Sequence, residues 1–323
     1  MNEIIVADVG GTHARFAIAE IKHRKILSLS APVTLATADH PSFQIAWEVF
    51  GEHLGRTLPR AAAIAIAAPI RTDLIKLTNN PWIVRPSQIS EKLKVDRHIL
   101  INDFAAVAHA VAMVENNQLL HITGPDQPLP QNGVVSIIGP GTGLGVAALI
   151  FKDGQTQVLP SEGGRCDFAP LDAVEDRILQ NLRAKHGRVS VERVVAGPGL
   201  RAIFEVLCDM EGRAMPAGDD KALWAMALAG ENSIAIAALD RFFQALGAVA
   251  GDIALTHGPG PVVLAGGLGL RLAKHISSSG FADRFVSKGR YRGLMESLPV
   301  KLITHPEPGL LGAAAAFATE YSD

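Results

Sequence analysis

Apolar and polar positions fall in blocks along the chain, and the blocks predict strands joined by glycine turns. Residues 4–7 are apolar and stop at Asp8-Val9-Gly10-Gly11-Thr12, after which 14–21 resumes with Phe16 and Ile18. That is a strand, a glycine turn and a returning strand. The polar segment 22–25 predicts a second turn, and 26–37 predicts a third strand. From Pro41 the period changes: Phe43, Trp47, Phe50 and Leu54 recur at helical spacing, a stripe that belongs to the core and not to a ligand. Residues 61–68 then predict a buried strand stopped by Pro69, and 98–101 another, with Asn102 and Asp103 at its carboxyl end before an alanine-rich helix from 104.

The stretch 124–133, rich in Pro, Gln and Asp, predicts a connection between two lobes. Beyond it the pattern repeats. Residues 134–138 predict a strand, 139–145 a glycine turn, 146–151 a returning strand, and Asp153-Gly154 a tight turn into a further strand. Leu171, Val174, Ile178 and Leu182 share one helical face; a long apolar helix covers 233–256, where Gly247 and Gly251 admit a close neighbour. Residues 261–265 predict the last buried strand, ending at Gly266 and Gly267, and a mostly alanine helix follows Gly309. Two separate blocks of strand, glycine turn and strand form an internal echo, and both turns are expected to face a shared cleft.

Composition narrows the class. A length of 323 residues favours one or two domains, and 48% hydrophobic against 19% charged residues excludes a disordered chain. A net charge of -2 gives no electrostatic footprint for nucleic acid or an anionic membrane, so a small ligand is expected. No unbroken apolar stretch approaches the ~18–20 residues of a membrane span, and the first residues lack the basic and apolar regions of a signal peptide. A soluble, cytoplasmic protein is the expectation. Cys166 and Cys208 match no metal-ligand spacing and are expected to be reduced structural thiols.

Several segments could carry chemistry. The turn from Asp8 to Thr12 offers small residues whose backbone N–H groups can approach phosphate oxygens, a hydroxyl, and a carboxylate able to hold Mg²⁺ through water; an ordinary β-hairpin with a solvated Asp reads equally well. Gly139-Pro140-Gly141-Thr142-Gly143-Leu144-Gly145 puts four glycines at alternate positions between apolar strands, which points to backbone lying against a ligand, with a bulged hairpin as the plainer reading. Gly197-Pro198-Gly199-Leu200-Arg201-Ala202 satisfies the dinucleotide pattern but lacks the strand before it, and reads as a turn leading a helix. Asn102 and Asp103 suit helix capping, and Asp also suits a base acting on a hydroxyl nucleophile; the two roles are compatible. Glu162, beside two glycines, is a better ligand candidate than Glu192, and each alone reads as a solvated acid.

Taken in order along the chain, these residues resemble the bacterial glucokinase family of the sugar-kinase, actin and heat-shock ATPase superfamily. Residues 8–15 look like its first phosphate motif, 100–107 its first connecting motif, 139–146 its second phosphate motif, 161–170 its sugar segment, 247–255 its second connecting helix, 262–269 its adenosine motif and 306–315 its closing helix. It does not resemble the repressor and kinase branch that carries a zinc cysteine cluster. The resemblance implies an α/β chain with a two-lobed actin-like ATPase fold of ribonuclease H-like repeats and a ligand cleft. It implies a small lobe of 1–113 plus 306–323 and a large lobe of 114–305. It also implies an ATP- and Mg²⁺-dependent glucokinase acting on glucose or a related hexose in glycolysis, and a homodimer. Asp103 would take the proton of the sugar 6-hydroxyl, and Asn102, Glu162 and Glu192 would bind other hydroxyls. Asp8 would hold Mg²⁺ through water, Gly10, Gly11, Thr12, Gly141, Thr142 and Gly143 would line the phosphates, and Gly266 and Gly267 would flank adenosine.

One position departs from the family pattern. Where the family has Glu-Gly-Gly-His, with the His bonding the sugar, this chain reads Glu162-Gly163-Gly164-Arg165. Imidazole both donates and accepts, whereas guanidinium is a permanently charged donor, so Arg165 is expected to meet a nearby Glu and to alter sugar binding. A kinase with altered hexose specificity, a weakly catalytic sugar-binding regulator and a hydrolase of the same fold are the alternatives.

Overall fold

The computed structural model describes residues 2–70, 72–77 and 80–321. The chain divides into two compact units, Met1–Glu115 with His305–Asp323, and Asn116–Thr304.

In the first unit the strands are β1 (Asn2–Val9), β2 (His13–Lys22), β3 (Lys25–Leu29), β4 (Val33–Ala36), β5 (Ala61–Ile66), β6 (Ile75–Lys76), β7 (Ile83–Val84) and β8 (Arg97–Asn102). The main sheet runs β3-β2-β1-β5-β8, with β4 also on β2, and β6 and β7 form a separate pair. β1 is antiparallel to β2 and parallel to β5, which is parallel to β8. Side chains alternate between the two faces, so each strand feeds two cores. Ile5, Ala7, Val9, Phe16 and Ile64 pack with Phe43, Trp47 and Phe50 of the helix Phe43–Leu54. Ile4, Val6, Ala61, Ala63 and Ala65 pack on the other side with Ala106 of the helix Asp103–Val111 and with Leu310, Ala313, Ala314 and Phe317 of the helix Pro308–Glu320. The sequence expectation of one strand over 26–37 gives way to two, because Pro32 cannot donate to a ladder. The Ser30 N–H donates instead to the Ile18 carbonyl, and the Ile18 N–H to Ser30 Oγ, so β3 and β4 pair with successive parts of β2.

The second unit holds β9 (Leu119–Thr123), β10 (Gly133–Pro140), β11 (Leu144–Lys152), β12 (Gln155–Ser161), β13 (Val262–Leu264) and β14 (Val300–Ile303), in the order β12-β11-β10-β13-β14-β9. Its first five positions repeat the first unit: two antiparallel steps outward from β10, and two parallel steps from β10 through β13 to β14. The stretch 124–133 lies within this unit, between β9 and β10, so it is not a connection between the units. Nor is β13 the last strand. β14 carries Lys301, buried among apolar neighbours, whose Nζ donates to Asp126 at 2.8 Å and so ties the loop after β9 to the sheet. Leu171 does not share the helical face expected of it: the helix begins at Ala173, capped by Asp172, and Leu171 is 58% exposed.

The helix Ser233–His257 has the length and apolar character of a membrane span, which the sequence hides by placing Asp240 and Arg241 inside the run. Both are used in tertiary contacts: Asp240 accepts the Gly280 N–H at 2.8 Å and Arg241 pairs with Asp172, while 72% of the apolar window is buried in this unit. Gly247 brings the helix against the backbone of Phe281, where a Cβ would collide with the carbonyl oxygen. Gly247→Ala is therefore expected to destabilise by about 1–3 kcal/mol through overpacking, outweighing the ~1 kcal/mol gain in helix propensity. Urea unfolding measures the sign; a more stable variant would show that the helices have room to separate.

Candidate active site

In the first unit the polar candidates collect at the carboxyl ends of the parallel strands. The register sets Val9 beside Ile66 and Ile66 beside Asn102, so Asp8, the turn after it, and Asn102-Asp103 share one end of the sheet. Asn102 caps the following helix: its Oδ1 accepts the N–H groups of Phe104 at 2.9 Å and Ala105 at 3.1 Å. Its Nδ2 donates to Asp103 Oδ1 at 2.9 Å, and the Phe104 N–H donates to the same oxygen at 2.9 Å. Capping thus holds the Asp103 carboxylate in place. The turn at Gly10, Gly11 and Thr12 is pinned from outside by buried Thr37, whose Oγ1 donates to the Gly11 carbonyl at 2.9 Å and whose N–H donates to the Thr12 carbonyl at 3.0 Å.

Asp8 faces the start of the helix Pro308–Glu320, where a Cβ on Gly309 would stand 2.6 Å from its Oδ2. Arg15 lies between Asp8 and Glu307, 3.7 Å from each, too far for a hydrogen bond and close enough for charge attraction. Burial pushes the Asp8 carboxyl above the usual aspartate range; Arg15 pulls it back and Glu307 pushes it further. Burial likewise raises Glu307, against the pull of Arg15. Neither Arg15 nor Glu307 was singled out from the sequence. Arg15 ends the first phosphate motif, and the available signal for Glu307 was an acid placed just before a proline that opens a helix.

In the second unit two segments are stitched together by backbone. The Phe168 N–H donates to the Val189 carbonyl at 3.0 Å and the Val191 N–H to the Cys166 carbonyl at 2.8 Å, which brings Glu192 to Arg165. Arg165 Nη1 donates to Glu192 Oε1 at 2.7 Å. Glu192 Oε2 accepts the N–H of Leu144, in the glycine turn, at 3.0 Å. Two glycines make this approach feasible: a Cβ at Gly143 would strike Glu192 Oε2, and one at Gly164 would strike the Leu144 carbonyl. Glu162 is exposed at the start of the short turn Gly163–Arg165. Glu192 is thus the better anchored of the two acids.

The rest of the glycine turn is held by its own unit. The Gly141 N–H donates to the Gly143 carbonyl at 2.8 Å, and the Gly197 N–H to the Gly141 carbonyl at 2.7 Å. Gly197-Pro198 leads the helix Gly199–Met210 as a turn. Gly266 opens the helix Gly266–Ile276 with φ 86°, and a Cβ there would lie 3.1 Å from the Pro140 carbonyl, so Gly266 and Gly267 adjoin the end of β10. A cavity of about 190 Å³ opens beside Thr142 and Glu192 and takes in Lys185, His186, Arg193 and Arg201. These four basic residues were not among the sequence candidates, because they are scattered over two helices and the turn Val191–Arg193.

The raised carboxyls of Asp8 and Glu307 carry a stability consequence. A carboxyl that binds its proton more tightly when folded costs stability as pH rises from its unfolded pKa through its folded one, and the cost is complete above both. Asp8→Asn and Glu307→Gln are each expected to raise the melting temperature of the ligand-free protein near pH 7, with the gain vanishing below the ordinary carboxylate range. Melting curves from pH 3 to 8 test this; equal melting temperatures throughout would mean that burial does not strain either acid.

The family model described as Glucokinase matches residues 5–320. A glucokinase of Zymomonas mobilis is 57% identical over 321 residues, covering 99% of both chains, and one of Stenotrophomonas maltophilia is 38% identical over 99% of this chain and 96% of its own. Among solved structures, a glucokinase from an Antarctic psychrotroph superposes with a TM-score of 0.84 at 31% identity, covering 99% of each chain. A ROK family glucokinase from Streptomyces griseus in complex with glucose and AMPPNP has a TM-score of 0.61 at 16% identity over 97% and 98% of the two chains, a likeness of fold alone. With the family match spanning both units and close relatives aligned end to end, this chain belongs to the glucokinase family.

Proposed function

We propose that the chain transfers the γ-phosphoryl group of ATP to the 6-hydroxyl of glucose, with Asp103 as general base. One observation carries this reading: each unit gathers its candidate residues at the carboxyl ends of its parallel strands, where α/β sheets bind ligands. The strand order repeated in the two units supports a two-lobed actin-like ATPase fold of ribonuclease H-like repeats.

Asp103 accepts the proton of the hydroxyl as the oxygen attacks phosphorus, and Asn102 keeps the carboxylate oriented. Asn102, Glu162 and Glu192 bind further hydroxyls. Gly10, Gly11, Thr12, Gly141, Thr142 and Gly143 line the phosphates, beside a cavity of mixed charge whose Lys185 pairs with Glu205 and whose Arg201 pairs with Asp220. Gly266 and Gly267 flank the adenosine. The two desolvated acids Asp8 and Glu307 fit a divalent cation, since such a cation favours their ionised forms, and Asp8 would hold Mg²⁺ there. Mg²⁺ supplies neutralisation of the charge that develops on the transferring phosphoryl group. A cytoplasmic location, a role in glycolysis and a homodimer belong to the same reading.

A coupled assay for ADP release tests it. ADP is expected only when both glucose and ATP are present; sugar-independent release would indicate a hydrolase, and none at all a regulatory sugar-binding protein. Asp103→Asn should lower kcat by ~10²–10⁴-fold, the range for a lost general base, with little change in nucleotide affinity. An Asn variant of normal turnover would remove Asp103 from the chemistry.

A further inference from the structure

We propose that Arg165 sets the glucose affinity of this enzyme by latching Glu192 onto the glycine turn. This rests on the reading of Glu192 as a sugar ligand.

Both oxygens of Glu192 are engaged, Oε1 by Arg165 Nη1 at 2.7 Å and Oε2 by the Leu144 N–H at 3.0 Å. A carboxylate that binds a sugar must accept hydrogen bonds from hydroxyl groups, and here a charged donor already occupies one of its oxygens. Each oxygen keeps a second lone pair, but the guanidinium stands 2.7 Å from Oε1, so a sugar hydroxyl reaching that oxygen must share it with an internal cation. The latch is itself held in place: Arg188 Nη2 donates to the Arg165 carbonyl at 2.7 Å, and Arg188 pairs with Asp167 at 2.7 Å. The Arg165 backbone is braced while its guanidinium carries the contact.

The exposures of the two partners bound the effect. Arg165 is 57% exposed and Glu192 20%, so water screens one side of the pair and the carboxylate is partly withdrawn from solvent. Exposed pairs are worth little and buried ones much more when broken on one side. An intermediate pair sets an expected change of about three- to tenfold in the binding of a competitor. Arg165 acts through Glu192, so it is a positioning residue, and its signature lies in KM for glucose.

The test is steady-state kinetics of the full chain with varied glucose and ATP, on wild type, Arg165→Gln and Arg165→Lys, at low and high salt. Arg165→Gln removes the charge and should lower KM for glucose about three- to tenfold, with a smaller change in kcat and none in KM for ATP. Arg165→Lys keeps the charge without the planar fork and should fall between. Raising ionic strength screens the half-exposed pair, so KM for glucose should fall with salt in wild type and stay level in Arg165→Gln. An unchanged or higher KM for glucose in Arg165→Gln, or a salt response equal in both proteins, overturns the latch while leaving the kinase reading intact. Absence of glucose-dependent ADP release from all three proteins overturns the kinase reading and the latch together.

Discussion

The register of β1 determines what the first unit presents. Ile4 and Val6 commit alternate residues of the strand to the alanine-lined face under the helix Pro308–Glu320, and Asp8 is the next position in that row. A slip of one residue would put Val9 at the helix start and drive Asp8 into the aromatic cluster of Phe16, Phe43 and Phe50, a move that pairing with both β2 and β5 forbids. The carboxylate is thus delivered by the same hydrogen bonds that build the core, and its raised proton affinity is the electrostatic strain this placement stores.

The second unit uses backbone differently. Its glycine turn ends β10 as the first turn ends β1, but the acid that reaches it comes from outside the strand pair. Glu192 arrives on a segment paired with 166–168, and its carboxylate closes on the turn because neither Gly143 nor Gly164 has a side chain in the way. Asp8 is positioned by strand register, Glu192 by a stitched loop. Acids on strands resist displacement; an acid on a loop can exchange partners with less cost to the core.

This contrast also explains what could be read in advance. Short continuous apolar runs at 4–7, 61–68 and 134–138, each stopped by turn residues, and the helical spacing of Phe43, Trp47 and Phe50 made the central strands, the first core and the two glycine turns legible. β9 and β14 were missed because they are short and because β14 carries Lys301, a charge that is tolerable in the core only through Asp126, far away in sequence. Pro32 split a strand that composition alone ran together. Asn102 and Asp103 could be placed at a strand end from pattern alone. The Arg165–Glu192 distance could not, since it depends on the pairing of residues around Cys166 with those around Val191. Glu307 escaped for the same reason: it lies almost the full length of the chain from its neighbours Asp8 and Arg15.

The first unit is completed by the last helix of the chain. Leu310, Ala313, Ala314 and Phe317 cover the face formed by Ile4, Val6 and Ala61, Ala63 and Ala65, so a ribosome that has made 300 residues has still not made the cover for the first ones. Until then a nascent chain displays an uncovered sheet of small apolar residues, while the residues of the second unit are already synthesised. The cover is thus the last part of the first unit to be synthesised. A ribosome stalled before residue 308, or a protease cut there, would release a chain with an open apolar sheet, a template for aggregation and a substrate for chaperones.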